Sequence, residues 1–238
     1  MSRKFATTQW SQVLAAKGSG DTRARRALEE LCSAYWYPLY AYVRHQGYGP
    51  DEAADLTQGY FAELLGKEFL KQVDPSKGRF RSFLLASLRH FVSRQRQKAG
   101  AHKRGGGVET LSIDTKDAET RFQVESLEDL TPERLFERRW AMTVLERAMA
   151  ALEREASELG NEVQFERFKP YLTGQEPHLP YRQVAVDLSM SEGAVKMAVY
   201  RLRRRYAANL RAEIEQTVAD PAEVDQEVRH LLACVSSP

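Results

Sequence analysis

The chain has 238 residues, 42% of them hydrophobic and 10% aromatic, enough to bury a sizeable core in one large or two small domains, and two are expected. The formal net charge is only +2, yet charge is unevenly placed: Arg79 to Arg104 holds eight basic residues and no acid, Lys196 to Arg211 holds six and none, and Asp114 to Glu133 is acidic. Two cysteines at opposite ends, Cys32 and Cys234, exclude a disulfide scaffold and show no zinc-ligand spacing; no apolar run approaches the roughly 20 residues of a membrane span, and MSRKFATTQW lacks a signal-peptide core, so a soluble cytoplasmic protein without membrane contact is expected.

The hydrophobic period is helical nearly everywhere, which predicts an all-α fold. ARRALEELCSAYWYPLYAYVRHQG places Leu28, Leu31, Tyr35, Leu39, Tyr42 and Val43 at three- and four-residue spacings, with Pro38 as a kink and Gly47 as a stop. GPDEAADLTQGYFAELL follows as a second helix, with Pro50 in its first turn and early acids that suit the helix dipole. RFRSFLLASLRHFVSRQRQKAG is a third, with Phe80, Phe83, Leu84, Leu88, Phe91 and Val92 on its apolar side. Strand-like alternation is confined to short stretches such as TLSID.

Residues 105–131 read as an acidic linker that opens with GGG, loses helical periodicity and carries Asp114, Asp117, Glu119, Glu125, Glu128 and Asp129. It ends where Thr131 and Pro132 look like an N-cap and first helical residue. The domains expected are therefore 1–104, the linker 105–131, a second helical domain 132–215, and a C-terminal helical extension 216–238. The second domain begins with a helix carrying Leu135, Trp140, Val144, Leu145 and Met149 toward a core.

PYRQVAVDLSMSEGAVKMAVYRLRRRY has the layout of a helix-turn-helix. A short helix with Val184, Ala185 and Leu188 inward precedes a turn, Ser189 to Ser191, and a longer helix with Val195, Val199 and Leu202 inward. Met190 plugs the corner and Ser191 caps the second helix. That stripe leaves Lys196, Met197, Tyr200, Arg201, Arg203 and Arg204 on the outer surface, where cations reach phosphates and one or two side chains read base edges. A solvated basic surface is the competing reading. The turn, and the lack of acids from Lys196 to Arg211, favour DNA.

Taken together, DEAADLTQGYFAELL, RFRSFLLASLRHFVSRQRQK and YRQVAVDLSMSEGAVKMAVYRLRRR, in this order and separated by an acidic stretch, resemble the extracytoplasmic-function group of bacterial RNA polymerase sigma factors over about residues 10 to 215. The wording YWYPLYAYVR and KRGGG is similar to a branch associated with Ser/Thr kinases in place of a membrane anti-sigma factor. The resemblance implies a sigma-2-like domain, a sigma-4-like helix-turn-helix domain, and partners in core RNA polymerase and promoter DNA, with a Ser/Thr kinase or an anti-sigma factor as regulator. It assigns Asp51, Glu52, Asp55 and Gln58 to the polymerase clamp. Minus-10 DNA falls to Arg81, Arg89, His90, Arg94, Arg96 and Lys98, and minus-35 DNA to the six outward residues of the helix-turn-helix. The chain departs from the family pattern at Ala54, where an acid is usual, at Phe83, where tryptophan is common, and at His90, in the place of a common asparagine.

The residue chemistry is consistent with these roles. Asp51, Asp55 and Gln58 share one narrow helical face, opposite Ala53, Leu56, Tyr60 and Leu64. A cationic track beside aromatic residues suits single-stranded DNA. Thr57 is a candidate phosphorylation site, a phosphate substituting for the acid absent at Ala54, against the alternative of a back-bonded or semi-buried threonine. The acidic linker lies in the polymerase's RNA exit path if the resemblance holds, or else is disordered. ADPAEVDQEVRHLLACV reads as a capped helix, Asp220 then Pro221, that packs on one of the domains. His45, His90, His102, His178 and His230 are scattered, and neither a phosphate loop nor a nucleophile elbow occurs, so neither catalytic residues, a cofactor nor a metal is expected. A dimeric helix-turn-helix regulator that works without polymerase is the alternative function.

Overall fold

A computed structural model describes residues 26, 29–30, 32–65, 79–101, 115–124, 130–173 and 179–236. These residues are helical apart from turns, and no strand occurs among them. Contacts divide the chain into two compact units, Met1–Thr143 with Ile214–Pro238, and Val144–Glu213. The division differs from the domains expected at 1–104 and 132–215: the start of the helix at Pro132 and the C-terminal extension belong to the first unit.

In the first unit, α1 spans Trp36–His45 and α2 Pro50–Leu64. The helical pattern upstream breaks at Ala34 and Tyr35, so Pro38 sits in the first turn of α1, where its missing N–H has no partner to lose. The first α1 bond runs from Leu39 N–H to the Tyr35 carbonyl, 3.0 Å. Gly47 terminates α1 with φ +92°, a left-handed conformation that glycine adopts at no steric cost. Pro50 opens α2 behind the cap residue Gly49. Helix α3, Phe80–Ala101, buries Phe80, Leu84, Leu88, Phe91 and Val92, the expected stripe, while Phe83 is half-buried. Gly59 of α2 lets Phe91 approach closely, since a Cβ there would lie 3.3 Å from its ring.

Residues Thr115–Val124, within the expected linker, form helix α4. Ala118 is buried, and Glu119 accepts from the Arg44 guanidinium at 2.7 and 2.8 Å and from the Tyr40 hydroxyl at 2.6 Å. The acidity of this stretch therefore serves a defined contact with α1 in place of a solvated tether. Residues 105–114 and 125–129 of the expected linker, including GGG and TLSID, lie outside the described residues.

Helix α5 runs Pro132–Glu158, capped by Thr131, whose Oγ1 accepts from Arg134 N–H at 3.3 Å. Its first half carries Leu135, Phe136 and Trp140 into the first unit. Trp140 is fully buried and its indole N–H donates to the Tyr35 hydroxyl at 3.0 Å.

In the second unit, α6 (Glu162–Phe168), the single turn α7 (Pro170–Thr173), α8 (Tyr181–Asp187) and α9 (Glu192–Glu215) build the helix-turn-helix. Its core is Phe168, Tyr171, Val184, Ala185, Val195 and Val199, with Leu188, Met190 and Leu202 packed around it. Back in the first unit, Asp220 accepts from Ala222 N–H at 2.8 Å, and a 3₁₀ turn, Pro221–Glu223, leads into α10, Val224–Ser236, which buries Val224, Glu227 and Leu231.

Candidate nucleic-acid interface

The turn between α8 and α9 sets the direction of the second helix. Met190 N–H reaches the Ala185 carbonyl at 2.8 Å and Ser189 N–H the Val186 carbonyl at 3.1 Å, the paired bonds of a Schellman stop. Ser189 occupies the left-handed position, φ +52°, where glycine is usual. Ser191 then caps α9, its Oγ accepting from Ala194 N–H at 3.1 Å. Ala185, 6% exposed, leaves room for the α8–α9 crossing.

All six outward residues expected on α9 are exposed. Met197 and Tyr200 keep half their surface in solvent, an unusual disposition for large apolar side chains on one helical face. Their neighbours divide into tied and untied cations. Lys196 pairs with Glu192 at 2.6 Å and holds that carboxyl below its ordinary value. Arg203 donates to the Tyr171 carbonyl at 3.1 and 3.3 Å, so it fastens α9 to α7. Arg205 pairs with Glu155 at 2.5 Å. Arg201 and Arg204 have no ion-pair partner among the described residues. For Arg203 and Arg205 sequence alone did not separate these classes, because their acceptors, Tyr171 and Glu155, lie on other elements.

The six α3 residues assigned to minus-10 DNA do not share one environment. His90, Arg96 and Lys98 are exposed. Arg89 donates to the Tyr42 hydroxyl at 3.0 Å and pairs with Glu133; Arg94 pairs with Glu63. Both pairs lie at the surface, where such contacts contribute about 0–1 kcal/mol and exchange readily for a phosphate. Arg81 is different. It is 5% exposed, its Nε 2.5 Å from Glu227 Oε1 and its Nη1 on Glu137, so it is a structural cation of the first unit and not part of an outer track. Arg79 joins the same Glu227 at 3.0 Å.

On α2, Asp51, Glu52 and Asp55 are exposed without an ion-pair partner among the described residues, and Gln58 is half-buried beside them. Ala53, Tyr60 and Leu64 are buried opposite, with Leu56 partly so. Thr57 is 0% exposed and its hydroxyl donates to the Ala53 carbonyl at 2.7 Å, which removes it as a phosphorylation site in this fold: a phosphate of about −1.5 to −2 charge has no room or solvent there. Ala54 is buried as well, so the acid usual in the resembled family has no exposed place here.

Among the described residues no helix is long and apolar enough to cross a membrane. Comparison with protein-family models, curated proteins and solved structures finds no match for the chain.

Proposed function

We propose that the chain is a transcription initiation factor of the extracytoplasmic-function sigma type, which binds the clamp of core RNA polymerase and directs it to promoters through minus-10 and minus-35 DNA. The observation that carries this reading is the pairing, in one chain, of two chemically opposite surfaces. One is an acidic α2 face without ion-pair partners among the described residues, suited to a basic protein. The other is a capped helix-turn-helix whose second helix presents untied Arg201 and Arg204 beside exposed Tyr200 and Met197, suited to a DNA groove. A regulator that binds an operator needs the second surface but not the first.

In this reading the protein works in the cytoplasm, performs no chemistry, uses no cofactor, and is controlled by an anti-sigma factor or a Ser/Thr kinase acting elsewhere than Thr57. The exposed α3 residues His90, Arg96 and Lys98, with Arg89 and Arg94 released from their surface pairs, follow the backbone of the opened strand. Mixing the purified protein with bacterial core polymerase and the DNA upstream of its own gene tests the proposal. Specific transcription starts are expected. DNA binding without any polymerase association would replace the proposal with the dimeric operator-binding regulator, whose half-sites lie about one DNA turn apart.

A further inference from the structure

We propose that Glu137, His230 and Cys234 form a binding site for a borderline-soft divalent transition-metal ion, Zn²⁺ in chemical type. His230 and Cys234 stand four residues apart on α10 and so share one face, and Glu137 meets them from α5. Their ligand atoms all lie within 4.8 Å of one another. His230 Nε2 is 2.6 Å from Glu137 Oε2 and 3.3 Å from Cys234 Sγ, and the sulfur is 4.0 Å from the same carboxylate oxygen. Tetrahedral zinc, with bonds of about 2.0–2.3 Å, spaces its ligand atoms about 3.3–3.6 Å apart, so each separation changes by less than about 1 Å on binding.

The convergence on a single nitrogen distinguishes a metal site from a nucleophilic one. In a thiol–imidazole–carboxylate relay the acid holds one ring nitrogen and the thiol uses the other. Here both the carboxylate and the thiol face Nε2, whose one in-plane position an ion would take.

The surroundings favour occupancy. Arg81 holds Glu137 Oε1 and thereby turns Oε2 toward His230 and Cys234, an outer contact of the kind that orients metal ligands. Formal charges nearby already balance, Arg79 and Arg81 against Glu227 and Glu137, so a dication that displaces the thiol proton to solvent adds one net charge. The His230 side chain is 36% exposed, which gives an ion a way in and leaves a fourth position for water. One imidazole, one thiolate and one carboxylate suit zinc or cobalt better than magnesium or calcium. Sequence reading missed the site because the third ligand lies 93 residues from His230.

The test is titration of the reduced, chelator-stripped full chain with Co²⁺. One ion per chain is expected, with a thiolate-to-cobalt charge-transfer band in the near ultraviolet that added Zn²⁺ bleaches. Cys234→Ser should abolish that band, and His230→Ala should weaken binding by at least about tenfold. Cys32→Ala should leave both intact, since the chain has only these two cysteines. Circular dichroism verifies that each variant is folded; Glu137→Gln, which also frees Arg81, is informative only if it passes, and the other two variants decide without it. Absence of the band in the folded wild type, its persistence in Cys234→Ser, or its loss in Cys32→Ala in place of Cys234→Ser would overturn the site.

Discussion

Arg201 and Arg204 stand one turn apart on α9, both exposed and both without a partner among the described residues, yet they should behave differently on DNA. Arg201 lies nearer the Ser191 cap, where a recognition helix meets base edges, and Arg204 lies where it meets the backbone. Arg201→Ala should cost about 1–3 kcal/mol on the preferred promoter and flatten discrimination among minus-35 variants. Arg204→Ala should weaken all sequences equally and lower the salt slope by about one unit. Fluorescence anisotropy across salt concentrations and promoter variants separates the two; equal losses on every variant would reduce α9 to an electrostatic anchor. A second single-residue effect concerns pH. Hydrogen bonds from Arg44 outweigh the cost of burial and, with Tyr40 and Gln123, hold the Glu119 carboxyl down at about 2. A depressed folded value means the stabilisation is complete above the ordinary carboxylate range, near pH 4.3, and is lost as pH falls toward 2. Glu119→Gln should therefore lower stability at pH 7 by about 2 kcal/mol, the scale of hydrogen bonds to a charged group. The gap between variant and wild type should narrow below pH 4 in urea denaturation.

At the scale of the helix, charge without an ion-pair partner among the described residues is the property on which the proposed clamp role of the α2 face rests. Reversing Asp51 and Asp55 to Lys removes two acids and adds two bases where nothing in the described residues depends on them. Co-purification with core polymerase should be lost while helicity and thermal unfolding stay near wild type; retained binding would end the clamp assignment. Helices and their ends were legible in the sequence because both signals are local. The three-to-four spacing of Phe80, Leu84, Leu88 and Phe91 marks a face, and Ser191, Thr131, Asp220 and Pro50 mark starts within one turn of the bonds they make. Helix α4 was not legible for the same reason. Its acids matched the composition of a solvated tether, and what orders it is Arg44, 75 residues away. Ala118 and Phe122, four apart, were the available hint: Ala118 is buried, and Phe122 lies under the Arg44 guanidinium at 4.8 Å. The candidate DNA surface was half legible. Which side of α9 points outward follows from Val195 and Val199, but which cations are already occupied depends on acceptors brought in by folding, as Arg203 shows.

At the scale of the first unit, closure depends on a buried charge cluster contributed by residues 146 positions apart. Arg81 and Glu227 are 5% and 1% exposed, and Glu227 also takes Arg79. Two consequences follow from burying ions that only other ions of the cluster compensate, Arg81 by Glu227 and Glu137, and Glu227 by Arg81 and Arg79. Removing Glu227 leaves buried Arg81 with Glu137 alone and takes from Arg79 the same acid, so Glu227→Gln should cost on the order of 3 kcal/mol in chemical denaturation, the lower end of the range for a broken buried pair. Replacing both at once, Arg81→Met with Glu227→Leu, removes the cost of desolvation with the attraction and should recover most of that loss, since isosteric apolar pairs often match buried ion pairs. Arg79 keeps a fifth of its side-chain surface and can turn to solvent in the double variant. The same pair of proteins checks the assignment of Arg81 against that of its α3 neighbours. If Arg81 serves only the cluster, the refolded double variant should bind promoter DNA with an unchanged salt slope, whereas Arg96→Ala or Lys98→Ala should lower the slope by about one unit each. A slope that drops in the double variant as it does for Arg96→Ala would mean that Arg81 leaves Glu227 to meet the phosphate backbone, and that α10 then competes with DNA for the start of α3.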